Sequence, residues 1–430
     1  MQTSTEYRRP YRPLLVSIFN AAGRAARRLG FGGPLDVDRM VAAARRKTGL
    51  SDFGDEWFRE PLDVLVRSMN AEARLTPLGA RIQRVRIVSA LCTRLRVERL
   101  LREKPEILDI RLGKIILIAG LQRTATTLLH RLIAADPGIR SLKSWEALNP
   151  LPLPGERTGD PRGRIGRAKL AVGTIRFLAP EFLAIHPIDH DAPEEDVLLL
   201  DLSFMSQSAE AAMHVPSYSA WLEGQDHTRC YEYLRTMLKI LHWQRPAAGW
   251  VLKTPHHMEH LDVIRDVFPG VCVVQTHRDP KRSVPSFWSM VAHGRGIFSD
   301  HVDPEEIGTH WMRKTRRLIE RSMAVRRSAG DGGFVDVSYY DVLGDPLAEL
   351  RRIYRAAGIG FTAEAEAAAE AVSRLSPAGR HGRHVYSAAH FGFDDARIDD
   401  DCDAYRHEYR IPDETAMPDG GPPGTRDEKR

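Results

Sequence analysis

The chain has 430 residues, 43% hydrophobic and 28% charged, the balance of an ordinary globular protein with length for two or three domain-sized units. Its 62 Lys and Arg against 57 Asp and Glu leave a net charge of +5, too mild and too evenly spread to argue for a nucleic-acid partner. Four cysteines (Cys92, Cys230, Cys272 and Cys402) stand far apart with no CxxC pair, which argues against a zinc site or disulfide framework and fits a reducing cytoplasm.

Near the N-terminus, Arg8, Arg9 and Arg12 precede the apolar run LLVSIFNAAG, and Arg24, Arg27 and Arg28 follow it. The run is short and closed by basic residues rather than a small-residue cleavage site, so export is not expected. No apolar run reaches the roughly 18 residues of a membrane span. Two readings fit: a basic amphipathic helix in peripheral contact with an anionic membrane, and a surface helix packed on the body. Residues 1–110 have the spacing of a helical N-terminal region, with helices over Met40 to Arg46, Pro61 to Met69 and Ile82 to Leu101. Asp36-Val37-Asp38 and Thr76-Pro77 are helix starts.

Lys114 to Ala119, KIILIA, is the pattern of a short strand buried on both faces. Gly120 to Thr127 holds one Arg and three Thr, the composition of a tight polar turn. Leu128, Leu129, Leu132 and Ile133 then form a helical stripe that stops at Asp136-Pro137. Strand, small polar loop and helix together aim backbone N–H groups and a positive dipole end at an anion, so the stretch predicts a phosphate or sulfate cradle. Gly120 is followed by LQRTATT with no Lys, which excludes a standard Walker loop.

Beyond it, SLKSWEALNPLPLPGERTGDPRGRIG is loop, and Ala168 to Leu183 is helical. In IHPIDHDAPEED, Pro193 with Glu194 and Glu195 predicts a helix N-terminus. His186, Asp189, His190 and Asp191 just before it lack metal-ligand spacing and read as loop polars. Val197 to Met205 and Tyr231 to Trp243 are further helices. GWVLKTP, with Lys253 at its end, VCVVQT and FVDVSY are strands separated by helical segments. That alternation predicts an α/β fold with a central parallel sheet whose ligands bind at the carboxyl ends of the strands. The rim would then carry the cradle, Lys253, the His277-Arg278-Asp279-Pro280 turn and Tyr339. Asp279 and Pro280 open another helix, Ser286 lies eight residues after Arg278, and Pro285 is expected to bend that helix. From about Pro412 the chain reads as a disordered tail.

GLQRTATTLL and HRDPKRSVPS resemble the two signature segments of sulfotransferases that use 3′-phosphoadenosine 5′-phosphosulfate (PAPS). WE, PEED, LKTP and HVYSAAHFG extend the likeness to the large bacterial branch of that family, over roughly residues 110–395. The resemblance implies a P-loop-like three-layer sandwich over residues 111–411, preceded by the helical region 1–110 and followed by the tail 412–430. It implies a 5′-phosphosulfate site at Arg123, Thr124, Ala125, Thr126, Thr127 and Leu128, and a 3′-phosphate site at Arg278 and Ser286. Tyr339 would lie near the adenine, Arg380 and Gly382 would close on the 3′-phosphate, and Ser387 would reach the sulfuryl group. Lys253 would neutralise the leaving group beside Arg123. Glu146 would be the general base, with His190 as the second candidate. Ala125 departs from the Gly usual in this branch, so the turn must accept a Cβ there. The implied reaction moves a sulfuryl group from PAPS to a hydroxyl of a small-molecule or lipid-like alcohol, releasing PAP without a metal. An atypical P-loop kinase or NTPase, and a non-catalytic nucleotide-binding protein on the same fold, are the competing readings. Oligomeric state is not legible.

Overall fold

Six of the seven residues from Lys114 to Gly120 are buried, and their side chains alternate between two apolar clusters. Ile115, Leu117 and Ala119 enter one cluster and Ile116 and Ile118 the other, the period of two that a strand imposes. In the computed structural model, which describes residues 3–157, 159–330, 332–375 and 384–414, this segment is β1, the middle strand of five. The others are β2 (Ile139–Ser141), β3 (Gly249–Lys253), β4 (Cys272–His277) and β5 (Phe334–Ser338). All pairings are parallel, in the order β2-β3-β1-β4-β5. Both faces of the sheet are covered by helices, giving three layers.

The helices that position the site are α1 (Leu14–Arg28), α2 (Pro77–Glu103), α3 (Thr126–Ile133), α4 (Ser144–Leu148), α5 (Arg162–Leu178), α6 (Pro180–Ile185), α7 (Pro280–Phe298) and α8 (Pro304–Ala329). The expected helix starts hold: Asp36 accepts from the Arg39 N–H, Thr76 from that of Gly79, and Asp279 from that of Lys281. Pro285 lies inside α7, which runs on to Phe298. Met40, Phe58, Leu62 and Leu91 of the N-terminal helices share a cluster with Trp250, Trp288 and Trp311.

Four expectations change. The stretch expected as loop from Ser141 to Gly166 holds α4 and the start of α5, and the helix expected over Ala168 to Leu183 breaks at Ala179, because the residue before Pro180 is kept out of helical geometry. β2 was not foreseen, because three residues are too few for alternation to register. The helix expected at Pro193 begins only at Val197. Pro193 instead forms an isolated bridge with Lys143, and Glu195 turns to a lysine rather than to a helix dipole. The helix expected over Val197 to Met205 closes at Leu200 and tightens into a 3₁₀ turn, after which Phe204 adopts φ 59°.

Candidate active site

β1 and β4 are paired neighbours with Gly120 opposite Thr276, so the loops that follow them emerge side by side. A Cβ at Gly120 would stand 2.0 Å from Thr276 Oγ1, which is why only glycine fits. Thr276 Oγ1 lies 2.6 Å from Thr124 Oγ1, which also donates to the Leu121 carbonyl at 2.6 Å. The Thr124 hydroxyl is therefore spent inside the loop, and two of the three loop hydroxyls remain for a ligand. Those of Thr126 and Thr127 make no hydrogen bond among the described residues; Thr126 is buried and Thr127 exposed, at the N-terminus of α3. Leu128 packs on the sheet.

Ala125 and Arg123 both adopt φ 67°, the left-handed region. The turn does accept a Cβ at Ala125, at about 1 kcal/mol or more relative to glycine. Left-handed residues on either side of Thr124 are the device by which a short loop turns successive N–H groups toward one anion.

Arg123 and Arg278 converge. Arg278 Nη1 donates to the Arg123 carbonyl at 2.9 Å, and the Arg278 guanidinium lies 3.9 Å over the Tyr339 ring. Arg123 Nη1 reaches the Ile185 carbonyl, at the end of α6, at 3.4 Å. Ser286, buried in α7, has its Oγ 3.3 Å from His384 Nδ1. His384 Nε2 is 2.9 Å from Ser289 Oγ, which accepts from the Tyr7 hydroxyl at 3.0 Å. Burial, with Arg123 and His293 nearby, holds the His384 imidazole down at about 4, hence neutral. Ser387 is exposed and caps the next turn, accepting from the Ala389 N–H. Arg380 and Gly382 lie outside the described residues.

The guanidinium of Arg278 already holds an anion. Glu414 accepts from its Nε at 2.7 Å and its Nη2 at 3.1 Å, and from the Tyr340 hydroxyl at 3.0 Å. The Glu414 N–H donates to Asp279 at 2.8 Å, and Asp413 lies 2.8 Å from Lys281 Nζ. Nothing in the polar, Pro- and Gly-rich end of the sequence signalled this; residues 415–430 lie outside the described residues.

Lys253, buried at the end of β3, has its Nζ 2.5 Å from Glu195 Oε1. Its N–H donates to Asp196 Oδ1 at 2.8 Å, and Asp196 Oδ2 lies 2.8 Å from His257 Nε2. Burial raises the Asp196 carboxyl, but His257 and the Lys253 N–H outweigh it and hold it below the usual carboxylate range. His186, one of the loop polars, is tilted against Phe182 at 5.8 Å. Its imidazole is pushed down by burial, pulled up by Glu195 and Glu194, and pushed down again by Lys253 and Arg123. It is therefore neutral near pH 7 and within the field of both cations; its ring makes no hydrogen bond or ion pair among the described residues.

Glu146 is held in an arginine pair. Its Oε1 lies 2.5 Å from Arg140 Nη2 and 3.5 Å from Arg245, and its Oε2 accepts from the Lys143 N–H at 3.0 Å. Among the described residues no hydrogen bond or ion pair joins it to Arg123, Lys253 or Arg278. The reason is Arg140, which lies in the unforeseen β2, is 2% exposed and stacks 4.6 Å over Trp250. A buried guanidinium needs a counter-charge, and Glu146 on α4 supplies it. His190 Nδ1 pairs with Asp189 at 3.2 Å.

In sequence and fold the chain is similar to known proteins. A sequence profile described as the sulfotransferase family matches residues 116–363. The omega-hydroxy-beta-dihydromenaquinone-9 sulfotransferases Stf3 of Mycobacterium bovis and Mycobacterium tuberculosis are each 26% identical over 260 residues, covering 57% of this chain and 63% of theirs. The chain thus spans less than two thirds of the length of those curated relatives. The solved sulfotransferase STF1 of M. tuberculosis H37Rv is 32% identical, with a TM-score of 0.74 over 85% of this chain and 98% of that one. Sulfotransferase STF9 of Mycobacterium avium is 26% identical, with a TM-score of 0.79 over 89% and 98%.

Proposed function

The chain belongs to the sulfotransferase family, and from that premise we propose that it moves a sulfuryl group from PAPS to the hydroxyl of a lipid-like or other small alcohol. The observation that carries the reading is the meeting of the two arginine-bearing loops that leave adjacent strands, with Arg278 donating to the carbonyl of Arg123. One nucleotide with a phosphate at each end can span such a pair. A relative named for a hydroxylated dihydromenaquinone supports a lipid-like acceptor.

When bound, PAPS would supply an activated sulfuryl group whose departure gathers charge on the bridging oxygen in a loose transition state. Arg123 and the N–H groups of Thr124 to Leu128 hold the 5′-phosphosulfate, with hydroxyls from Thr126 and Thr127. Lys253 neutralises the leaving oxygen, and Glu195 keeps its ammonium in place. Arg278 and Ser286 take the 3′-phosphate, and Tyr339 lies against the nucleotide. His186 replaces Glu146 as the proton acceptor for the acceptor hydroxyl, because it is neutral, uncommitted and within the electrostatic reach of both cations. No residue in this scheme calls for a metal.

Titration calorimetry with PAP, ATP and GTP tests the donor, followed by radiolabelled transfer from PAPS to long-chain and isoprenoid alcohols. PAP is expected to bind and the other two not. Magnesium-dependent ATP or GTP binding would favour the kinase or NTPase reading, and PAP binding without transfer to any alcohol the non-catalytic one.

A further inference from the structure

α1 is attached to the body by a narrow side only. Val16 and Asn20 are buried, Asn20 accepts from the Leu78 N–H at 3.0 Å, and Gly23 lies against Pro77 so closely that a Cβ would be 2.5 Å from its ring. At 100° per residue, Leu14, Leu15, Ile18, Phe19, Ala22, Ala25 and Ala26 occupy one arc of about 140°, turned away from that contact. Leu14 is 76% exposed, Leu15 71% and Ile18 57%, and Leu29 and Phe31 continue the patch at 76% and 68%. A helix whose apolar face served packing would bury that arc, and this one presents it to solvent.

Around the arc arginines outnumber acids: Arg8, Arg9, Arg12, Arg24, Arg27 and Arg28 against Asp300, Asp303 and Glu305. Arg9 and Arg28 are exposed and make no ion pair among the described residues. Arg12 and Arg24 share Asp300, and Arg8 pairs with Asp303 and Glu305. Beneath the segment that leads into α1 is a cavity of about 220 Å³ lined by Tyr7, Pro10, Tyr11, Phe182, His293 and Ile297. Glu181 and Phe182 of α6 form part of its wall. α5, which leads into α6, exposes Leu170 and Phe177 next to Lys169 and Arg176.

We propose that α1 is a membrane-docking element that seats the protein on an anionic lipid bilayer, with its apolar arc at the acyl boundary and its arginines among the head groups. Docking stands without the proposed reaction. The opposite charges of arginine and anionic lipid select the bilayer over a second copy of this chain, whose matching face would be equally basic.

The test is co-sedimentation of the full chain with vesicles of phosphatidylcholine alone and of phosphatidylcholine with phosphatidylglycerol. Thermal shift with PAP, and light scattering, are measured in parallel. Binding is expected only to the anionic vesicles, falling as salt rises. Leu15→Glu with Ile18→Glu should lower the bound fraction about tenfold or more, and Arg9→Glu with Arg28→Glu should lower it through charge alone. The PAP-induced shift should be unchanged in both. Absence of vesicle binding, binding indifferent to these substitutions, or a dimer that L15E/I18E splits would overturn the proposal. Loss of PAP binding or of transfer with docking intact would instead sink the proposed reaction alone.

Discussion

Glu414 sits where the 3′-phosphate of the donor is expected, so one of them must leave for the other to bind. Its carboxylate makes two charge-assisted hydrogen bonds to Arg278, at 2.7 and 3.1 Å, and one to Tyr340 at 3.0 Å. The pair is shielded, with side-chain exposures of 18% and 15%, so solvent screening is incomplete. Hydrogen bonds to charged groups contribute about 1.5–3 kcal/mol each before ordering is counted. Fixing the segment that carries Glu414 costs about 1–2 kcal/mol per residue, which leaves a closed state favoured by about 1–2 kcal/mol. Apparent donor affinity falls by the same factor that the open fraction does, about 5- to 30-fold. Glu414→Gln keeps the shape and removes the charge, so it should tighten PAP binding by that factor in calorimetry at low salt. Adenosine 5′-phosphosulfate, which lacks the 3′-phosphate, should gain little. PAP affinity within twofold of the parent, or an equal gain for both ligands, would refute the competition.

Arg123→Ala should cut transfer by about 100- to 1000-fold, the usual loss of one preorganised oxyanion donor, and near-normal turnover would remove Arg123 from the chemistry. His186→Asn should lower kcat with PAP affinity kept. Glu146→Gln should instead leave kcat per folded molecule intact and cost about 3 kcal/mol or more in denaturant titration, because it strips a buried arginine of its charge partner. Buried His256 and His260 are pushed well below the ordinary histidine value, and His130 to about 3, by burial first. Groups held neutral in the fold protonate more readily once unfolded. Stability is therefore present above about pH 6.5 and lost as pH falls toward the folded values, by up to about 1.4 kcal/mol per pH unit and group. Melting temperatures from pH 7.5 to 5 check this, and a flat profile would contradict it.

What could be read in advance was what neighbouring residues decide. β1, its loop and α3 are continuous in sequence, and so are β4, the Asp279 cap and α7, so strand, turn and helix announce themselves within a few residues. Arg123 and Arg278 could be placed on one rim because parallel topology sends all strand ends the same way. What stayed hidden depended on partners far along the chain or on elements too short to leave a pattern. Glu146 looked like a free loop carboxylate because the strand holding Arg140 has three residues. The Lys253–Glu195 pair joins segments 58 residues apart, and the Arg278–Glu414 pair segments 136 apart. Neither has a local signature. His186 was visible only as one polar residue among several, and the fold buries it within the electrostatic reach of Lys253 and Arg123.

The pairing of β1 with β4 has one more consequence. Neighbouring strands lie about 4.8 Å apart, held by peptide hydrogen bonds with no hinge between them. The two guanidinium-bearing turns are mounted on those strands like the jaws of a fixed calliper. Under the proposed reaction a donor would be gauged by its span, and altering that span would require shifting the sheet itself. α5 and α6, by contrast, hang from long connections outside the sheet and can change without disturbing that setting.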